Sequence, residues 1–220
     1  MFQGFNDSTI KYFEAIKQEN SKSIFTENNI YYLEGVKYPL EQLYYELYDY
    51  FGGLDTDLLS SERRCISSAY NDARFCNGKP MKEYFYIRFK LNRASKKNEV
   101  GFFFDASLDG YKFGLNIYHM NAGGMEKIRQ YMLCNKRNST KIIKEFNEAN
   151  LLDVRGEKYV KSCYPNENKV LREWLEHKTL SYIHEESLNQ TFYDRKLLNT
   201  VLCAFDSVKN VYMMLKEALA

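Results

Sequence analysis

Glu83-Tyr84-Phe85-Tyr86-Ile87-Arg88-Phe89-Lys90-Leu91 alternates without a break. Phe85, Ile87, Phe89 and Leu91 fall on one face, and Tyr84, Tyr86, Arg88 and Lys90 on the other. Side chains two apart on a strand share a face, so this period predicts a strand packed on one side and wetter on the other. Downstream, Val100 to Ser107 predicts another strand, unusually apolar at Phe102-Phe103-Phe104. Asp109-Gly110 is a hairpin turn signal. The return strand places Tyr111, Phe113, Leu115 and Ile117 on one side, with Lys112, Gly114 and Asn116 opposite. The centre of the chain therefore reads as an antiparallel sheet. Upstream, Cys65 to Phe75 is a further candidate strand.

Helical spacing dominates on either side of this block. Asn6, Asp7 and Ser8 offer capping oxygens for a helix that runs to about Gln18 through Ile10 and Phe13. A second helical stretch begins near Thr26 and carries Ile30, Leu33, Leu40, Leu43, Tyr44, Leu47 and Phe51. Pro39 predicts a kink in it or two abutting helices, with Lys37-Tyr38 outside ideal geometry, and Gly52-Gly53 its end. After Asn121-Ala122-Gly123-Gly124 closes the sheet, helices are expected at Met125 to Leu133, Thr140 to Ala149 and Asn168 to Glu176. Between the last two, Arg155 to Tyr164 reads as a short hairpin or an irregular arm. The final helix, about Arg195 to Leu219, carries the broad apolar stripe Leu198, Val201, Leu202, Phe205, Val208, Tyr212 and Leu215. The expected architecture is a single α+β domain over residues 1–220, an antiparallel sheet flanked by N- and C-terminal helices.

Composition narrows the function classes. Of the 220 residues 45% are hydrophobic and 27% charged, a globular balance in a chain long enough to bury a core. The 19 tyrosines and 15 phenylalanines stand against one tryptophan, and many of the tyrosines are expected where core meets solvent. A net charge of +2 argues against a nucleic-acid or anionic-membrane surface. The locally basic piece with Arg88, Lys90, Arg93, Lys96 and Lys97 reads as a strand end running into a solvated loop. Cys65, Cys76, Cys134, Cys163 and Cys203 are odd in number, scattered and never in a C-x-x-C pair, so neither a disulfide framework nor a zinc knuckle is expected. Cys203 reads as packing on an apolar helix face. Met1-Phe2-Gln3-Gly4-Phe5 lacks the basic-then-apolar pattern of a signal peptide. The expectation is a soluble, cytoplasmic protein with no membrane span, no metal site and no cofactor.

One polar constellation stands out. On a strand, Tyr70, Asp72 and Arg74 would form a row with Ala69, Ala73 and Phe75 opposite, and Lys79 and Lys82 follow closely. The Tyr70-Asn71-Asp72-Ala73-Arg74-Phe75 segment resembles the Tyr-Arg-Asp-x-Arg-Phe motif of the domain of unknown function 2461 family, with Asn71 where Arg is usual. The resemblance extends over nearly the full length. It includes Phe2-Gln3-Gly4-Phe5 and the Phe25…Asn28…Tyr32…Pro39 pattern, with Ile24 in place of a usual Trp. It includes Lys79-Pro80-Met81-Lys82, which is similar to the family's Lys-Thr-Pro-Tyr-Lys run but one residue shorter, and Leu175…Lys178, similar to its C-terminal lysine. The resemblance implies an α+β fold and a shared polar row, and it brings no established reaction, substrate or cofactor.

The row supports two readings. As an anion pocket, Arg74 offers a bidentate fork to a carboxylate or phosphate, Lys82 adds a point charge and Asp72 orients Arg74, with Tyr70 and Lys178 completing the set. As structure, Asp72 and Arg74 hold a loop through an ion pair. Other chemistry is thinner. Cys76 beside Arg74 lacks a base unless His119 approaches it. His177 and His184 share a face only if a helix runs through both. Gly123-Gly124 could meet phosphate through backbone N–H groups. The leading functional expectation is a protein that binds a small anionic ligand, with catalysis left open. The alternative is a non-catalytic module that meets another protein through its tyrosine-rich surface.

Overall fold

The computed structural model of the protein describes residues 1–91 and 97–220. Arg93 and Lys96 of the basic segment lie outside them. In chain order the elements are α1 (Asp7–Gln18), α2 (Lys22–Glu27), α3 (Asn29–Tyr32), α4 (Tyr38–Leu54), α5 (Glu62–Cys65), β1 (Tyr84–Lys90), β2 (Glu99–Ser107) and β3 (Gly110–Tyr118). These are followed by α6 (Ala122–Cys134), α7 (Lys136–Ala149), β4 (Asp153–Arg155), α8 (Lys169–Leu175), β5 (Ser181–Glu186) and α9 (Lys196–Ala218). The fold is α+β: N-terminal helices, a central antiparallel five-stranded sheet in the order β1-β2-β3-β5-β4, and a long C-terminal helix. By compactness the chain divides into two units. The first comprises Met1–Phe89, Phe103–Phe113 and Glu185–Leu202, the second Lys90–Phe102, Gly114–His184 and Cys203–Ala220.

The first unit is built on stacked phenylalanines. Phe5 lies 5.0 Å from Phe85, 5.9 Å from Phe104 and 4.7 Å from Phe192, ring centre to ring centre. Phe13 of α1 stacks on Phe85 at 5.6 Å, and Phe51 of α4 meets Phe89 at 4.6 Å. The alternation of β1 thus does what its period requires: Phe85, Ile87 and Phe89 are buried while the intervening residues are not. α1 starts with a reciprocal cap, Asn6 accepting from the start of the helix while the Asn6 N–H donates to Thr9.

Pro39 stands where two helices abut and not at a kink in one. It occupies the first turn of α4, where a missing N–H costs nothing, and a wider π turn over Leu33–Lys37 joins it to α3. That wide turn presents Gly35 to α1, so close that a Cβ there would lie 2.2 Å from the Thr9 nitrogen. Gly52 and Gly53 stay inside α4, which ends at Leu54.

In the second unit Phe102 packs on Phe205 and Tyr212 of α9, at 5.0 and 5.2 Å. Phe146 of α7, Trp174 of α8 and Tyr182 of β5 form a separate aromatic knot. β4 pairs antiparallel with β5, and the rest of the Arg155 to Tyr164 stretch is irregular apart from a bridge between Lys158 and His177. Cys203, expected to pack, is exposed.

The expected strand from Cys65 to Phe75 does not form. α5 occupies its start, and beyond it only two isolated bridges appear, Ile66 with Ile87 and Tyr70 with Met81. Local side-chain bonds outcompete a ladder here. Asn71 donates through its amide to the carbonyls of Lys79 and Met81, and Asp72 accepts the backbone N–H of Arg74. Both lock the chain into a loop that turns at residues 73–75.

Candidate functional site

The polar row is therefore a loop tip and not a strand face. Asp72 Oδ1 accepts from Arg74 Nε at 3.0 Å, and Oδ2 accepts from Nη2 at 2.6 Å. The pair is well exposed, with 78% of the Arg74 side chain open to solvent. The guanidinium holds the Asp72 carboxyl below the usual carboxylate range, and the carboxylate raises Arg74 in return. Phe75, expected to turn inward, is 74% exposed and lies under the Arg74 guanidinium at 5.4 Å. Tyr70 flanks the loop, half exposed. Lys79 is drawn off to Glu83 at 2.8 Å.

Lys82 behaves differently. It precedes β1, donates to the Ser68 carbonyl and hydroxyl, and points along the row that Tyr84, Tyr86 and Arg88 continue. The Tyr86 ring is flanked by Lys82 at 5.6 Å and by Arg88 at 4.0 Å, a geometry in which the aromatic face attracts both cations. Burial first, and then the charge of Arg88, pull the Lys82 ammonium below its usual value. Lys178 belongs to the second unit, where its ammonium lies 3.8 Å from Glu157.

From Arg88 the wetter face of the sheet opens into a cleft of about 620 Å³ within the first unit. Tyr84 and Arg88 come from β1, Asp105 and Ser107 from β2, Lys112 from β3 and Glu185 from β5. Asp105 stands across from Arg88, Oδ2 to Nη2 4.0 Å, with 18% of its side chain exposed. That distance is too long for a hydrogen bond. Oδ1 is buried and has no hydrogen-bond partner. Burial pushes the Asp105 carboxyl up, opposed by Arg88 and Lys112. At the rim, Tyr111 donates to Glu186 at 2.7 Å. The hairpin turn beside the cleft needs its glycine: Gly110 has φ +153°, and a Cβ there would sit 2.5 Å from the Glu186 carbonyl oxygen.

Sequence reasoning singled out Lys82, read Arg88 only as part of a basic strand end, and did not single out Asp105. The signal was present as a lone carboxylate interrupting Phe102-Phe103-Phe104-Asp105-Ala106, on the strand that pairs with β1. Elsewhere the structure removes candidates. Cys76 contacts the Ala73 carbonyl, and His119, His177 and His184 all belong to the second unit. His177 follows α8 while His184 lies on β5, so no helix joins them. Asn121 caps α6 by accepting from Gly124, and the Asn98 side chain covers that glycine at 2.4 Å from a would-be Cβ. Lys90 is paired with Glu99 at 2.7 Å. Among the described residues no group of three or more His, Cys, Asp or Glu side chains could hold a metal, and no helix is long and apolar enough to cross a membrane.

The fold is that of an α+β protein, and within its first unit the sheet face bearing Tyr84, Arg88, Asp105 and Lys112 opens on a cleft. The family model that matches it is that of a conserved hypothetical protein, DUF2461, over residues 8–213. The chain belongs to that family. No curated protein and no solved structure matches it.

Proposed function

We propose that the protein binds a small ligand bearing an anionic group, carboxylate or phosphate, at the open sheet face. The observation that carries this reading is the placement of Lys82 and Arg88 against one Tyr86 ring, with Arg88 lining a cleft of ligand size. Two like charges held in partial burial repel each other, and an anion between or beside them relieves that repulsion. Arg88 supplies the planar fork, Lys82 and Lys112 the supporting charge, and Ser107 a hydroxyl. The centre of recognition thereby moves from Arg74 to Arg88, with Lys82 common to both schemes. For Arg74 to serve, a ligand has to displace Asp72 from both of its hydrogen bonds. Lys178 is left to its pairing with Glu157. The reading asks for no cofactor and leaves catalysis open. A cytoplasmic setting accords with five cysteines that are all unpaired.

Thermal unfolding in a phosphate-free buffer, with added inorganic phosphate or short carboxylates, tests the proposal. A ligand present at a hundred times its dissociation constant stabilises the native state by about 2.7 kcal/mol. That raises the midpoint by several degrees in wild type and not in Arg88→Gln. If Arg88→Gln responds as wild type does, or if no anion shifts wild type, the proposal fails.

A second reading rests on Phe75. A phenylalanine 74% exposed at a loop tip, backed by Arg74, suits contact with a protein partner. Phe75→Ser leaves the fold intact under this reading and abolishes the association.

A further inference from the structure

The charges around the cleft do not suit an anion alone. Its lining carries four carboxylates, Asp105, Asp109, Glu185 and Glu186, against the cations Arg88 and Lys112. A purely anionic guest gains from Arg88 but enters a cleft whose lining as a whole carries an excess of two negative charges. Charges interact more strongly in a partly desolvated cleft than in open water, so this excess bears on what can enter.

Asp105 adds a second, independent constraint. It is the least exposed partner of the Arg88 pair, yet it takes no hydrogen bond: Oδ1 is shielded without a donor, and Oδ2 is 4.0 Å from the nearest guanidinium nitrogen. Glu186 is served by the Tyr111 hydroxyl. A carboxylate kept in partial burial without a donor is costly, and a guest that brings an N–H removes the cost.

We infer that the ligand is a zwitterion with an α-amino-acid head group, its carboxylate on Arg88 and its ammonium on Asp105. The two protein charges stand side by side on neighbouring strands, one from β1 and one from β2. An α-amino acid presents the opposite two charges from a single carbon, so one guest neutralises both walls at once. Lys112 supports the carboxylate end and Glu185 the ammonium end. The remaining volume, lined in part by Tyr84, receives the side chain. This inference rests on the proposal that Arg88 binds an anion, and it adds the amine.

Calorimetric titration at neutral pH and low salt separates the two. The probes are individual L-amino acids, the carboxylic acids that lack their amino group, the amines that lack their carboxylate, and inorganic phosphate. On wild type the amino acid that fits binds at least roughly ten-fold more tightly than its deaminated carboxylate, the effect of one charge-assisted hydrogen bond. Asp105→Asn erases that preference and leaves the carboxylate's own affinity unchanged or improved. Arg88→Gln weakens amino acid and carboxylate together. If carboxylates or phosphate bind through Arg88 while the amino group gives no gain, or Asp105→Asn keeps the preference, the zwitterion is refuted and the anion site survives. If no probe binds wild type, both are refuted. The comparison of probes on wild type needs no variant, so a folding defect in Asp105→Asn leaves it decisive.

Discussion

Asp105→Asn is expected to stabilise the free protein. The side chain keeps its volume and loses its charge. In wild type the carboxylate is largely withdrawn from water, its Oδ1 has no donor, and Arg88 lies 4.0 Å from Oδ2. Burial raises its proton affinity more than Arg88 and Lys112 lower it. The folded protein therefore holds the Asp105 proton more tightly than the unfolded chain does. Through this group wild type is favoured at acid pH, and it loses that advantage as pH rises through the elevated folded value. Above that value the ionised carboxylate is a standing cost. The amide mimics the protonated state, so the variant's gain is full at neutral pH and vanishes below the ordinary carboxylate range. An unsatisfied buried polar group costs about 1–3 kcal/mol, and the amide still leaves a buried oxygen, so the gain is taken at the low end, about 1 kcal/mol. For a chain of this size that is roughly 2–4 °C in the midpoint. Thermal unfolding of both proteins from pH 4 to pH 8 reads it directly. A variant less stable than wild type at neutral pH would show that the carboxylate is there to hold the sheet together. The case for a ligand-facing group would then be lost.

Three further outcomes follow from the packing and the loop. Tyr182→Phe removes a hydroxyl that is buried without a partner inside the Phe146–Trp174 knot, and urea unfolding should show a change from neutral to about 1 kcal/mol more stable. Phe104→Ala opens the stack shared with Phe5 and Phe85, and the same assay should record a loss of about 3–5 kcal/mol. Arg74→Ala frees an exposed pair at a loop tip, so the unfolding midpoint should stay within experimental scatter. A large drop would mean that the tip has a structural task its exposure does not suggest.

What could be read from the chain depended on how local the determinant was. The alternation of residues 84–90 and the stripe of α9 are periodic signals, and both elements appear within a residue or two of the expected bounds. Pro39 was read as a kink or as a junction of abutting helices, and the junction is what forms, since a proline is harmless in a first turn; the wide turn before it has no clear sequence mark. The Cys65 to Phe75 segment carried the residue types of a strand. Its conformation was decided by Asn71 reaching carbonyls 8 and 10 residues away, a pairing that no periodicity reveals. With the row assigned to a strand, Arg74 was read either as one wall of an anion pocket or as half of an ion pair with Asp72 that holds a loop; the structure shows the ion pair, at a loop tip. Lys82 was recognised through its closeness to that motif, and the structure joins it instead to Arg88 through Tyr86. Asp105 required knowing which residue of the neighbouring strand comes near Arg88, and that depends on how β1 and β2 pair, not on composition.

Chemical-shift mapping of the backbone amides during titration with inorganic phosphate and short carboxylates addresses the anion site most directly. The account predicts saturable shifts grouped at Lys82, Arg88, Asp105, Ser107 and Lys112. Shifts confined to Arg74 and Phe75, or none at any concentration, would contradict it.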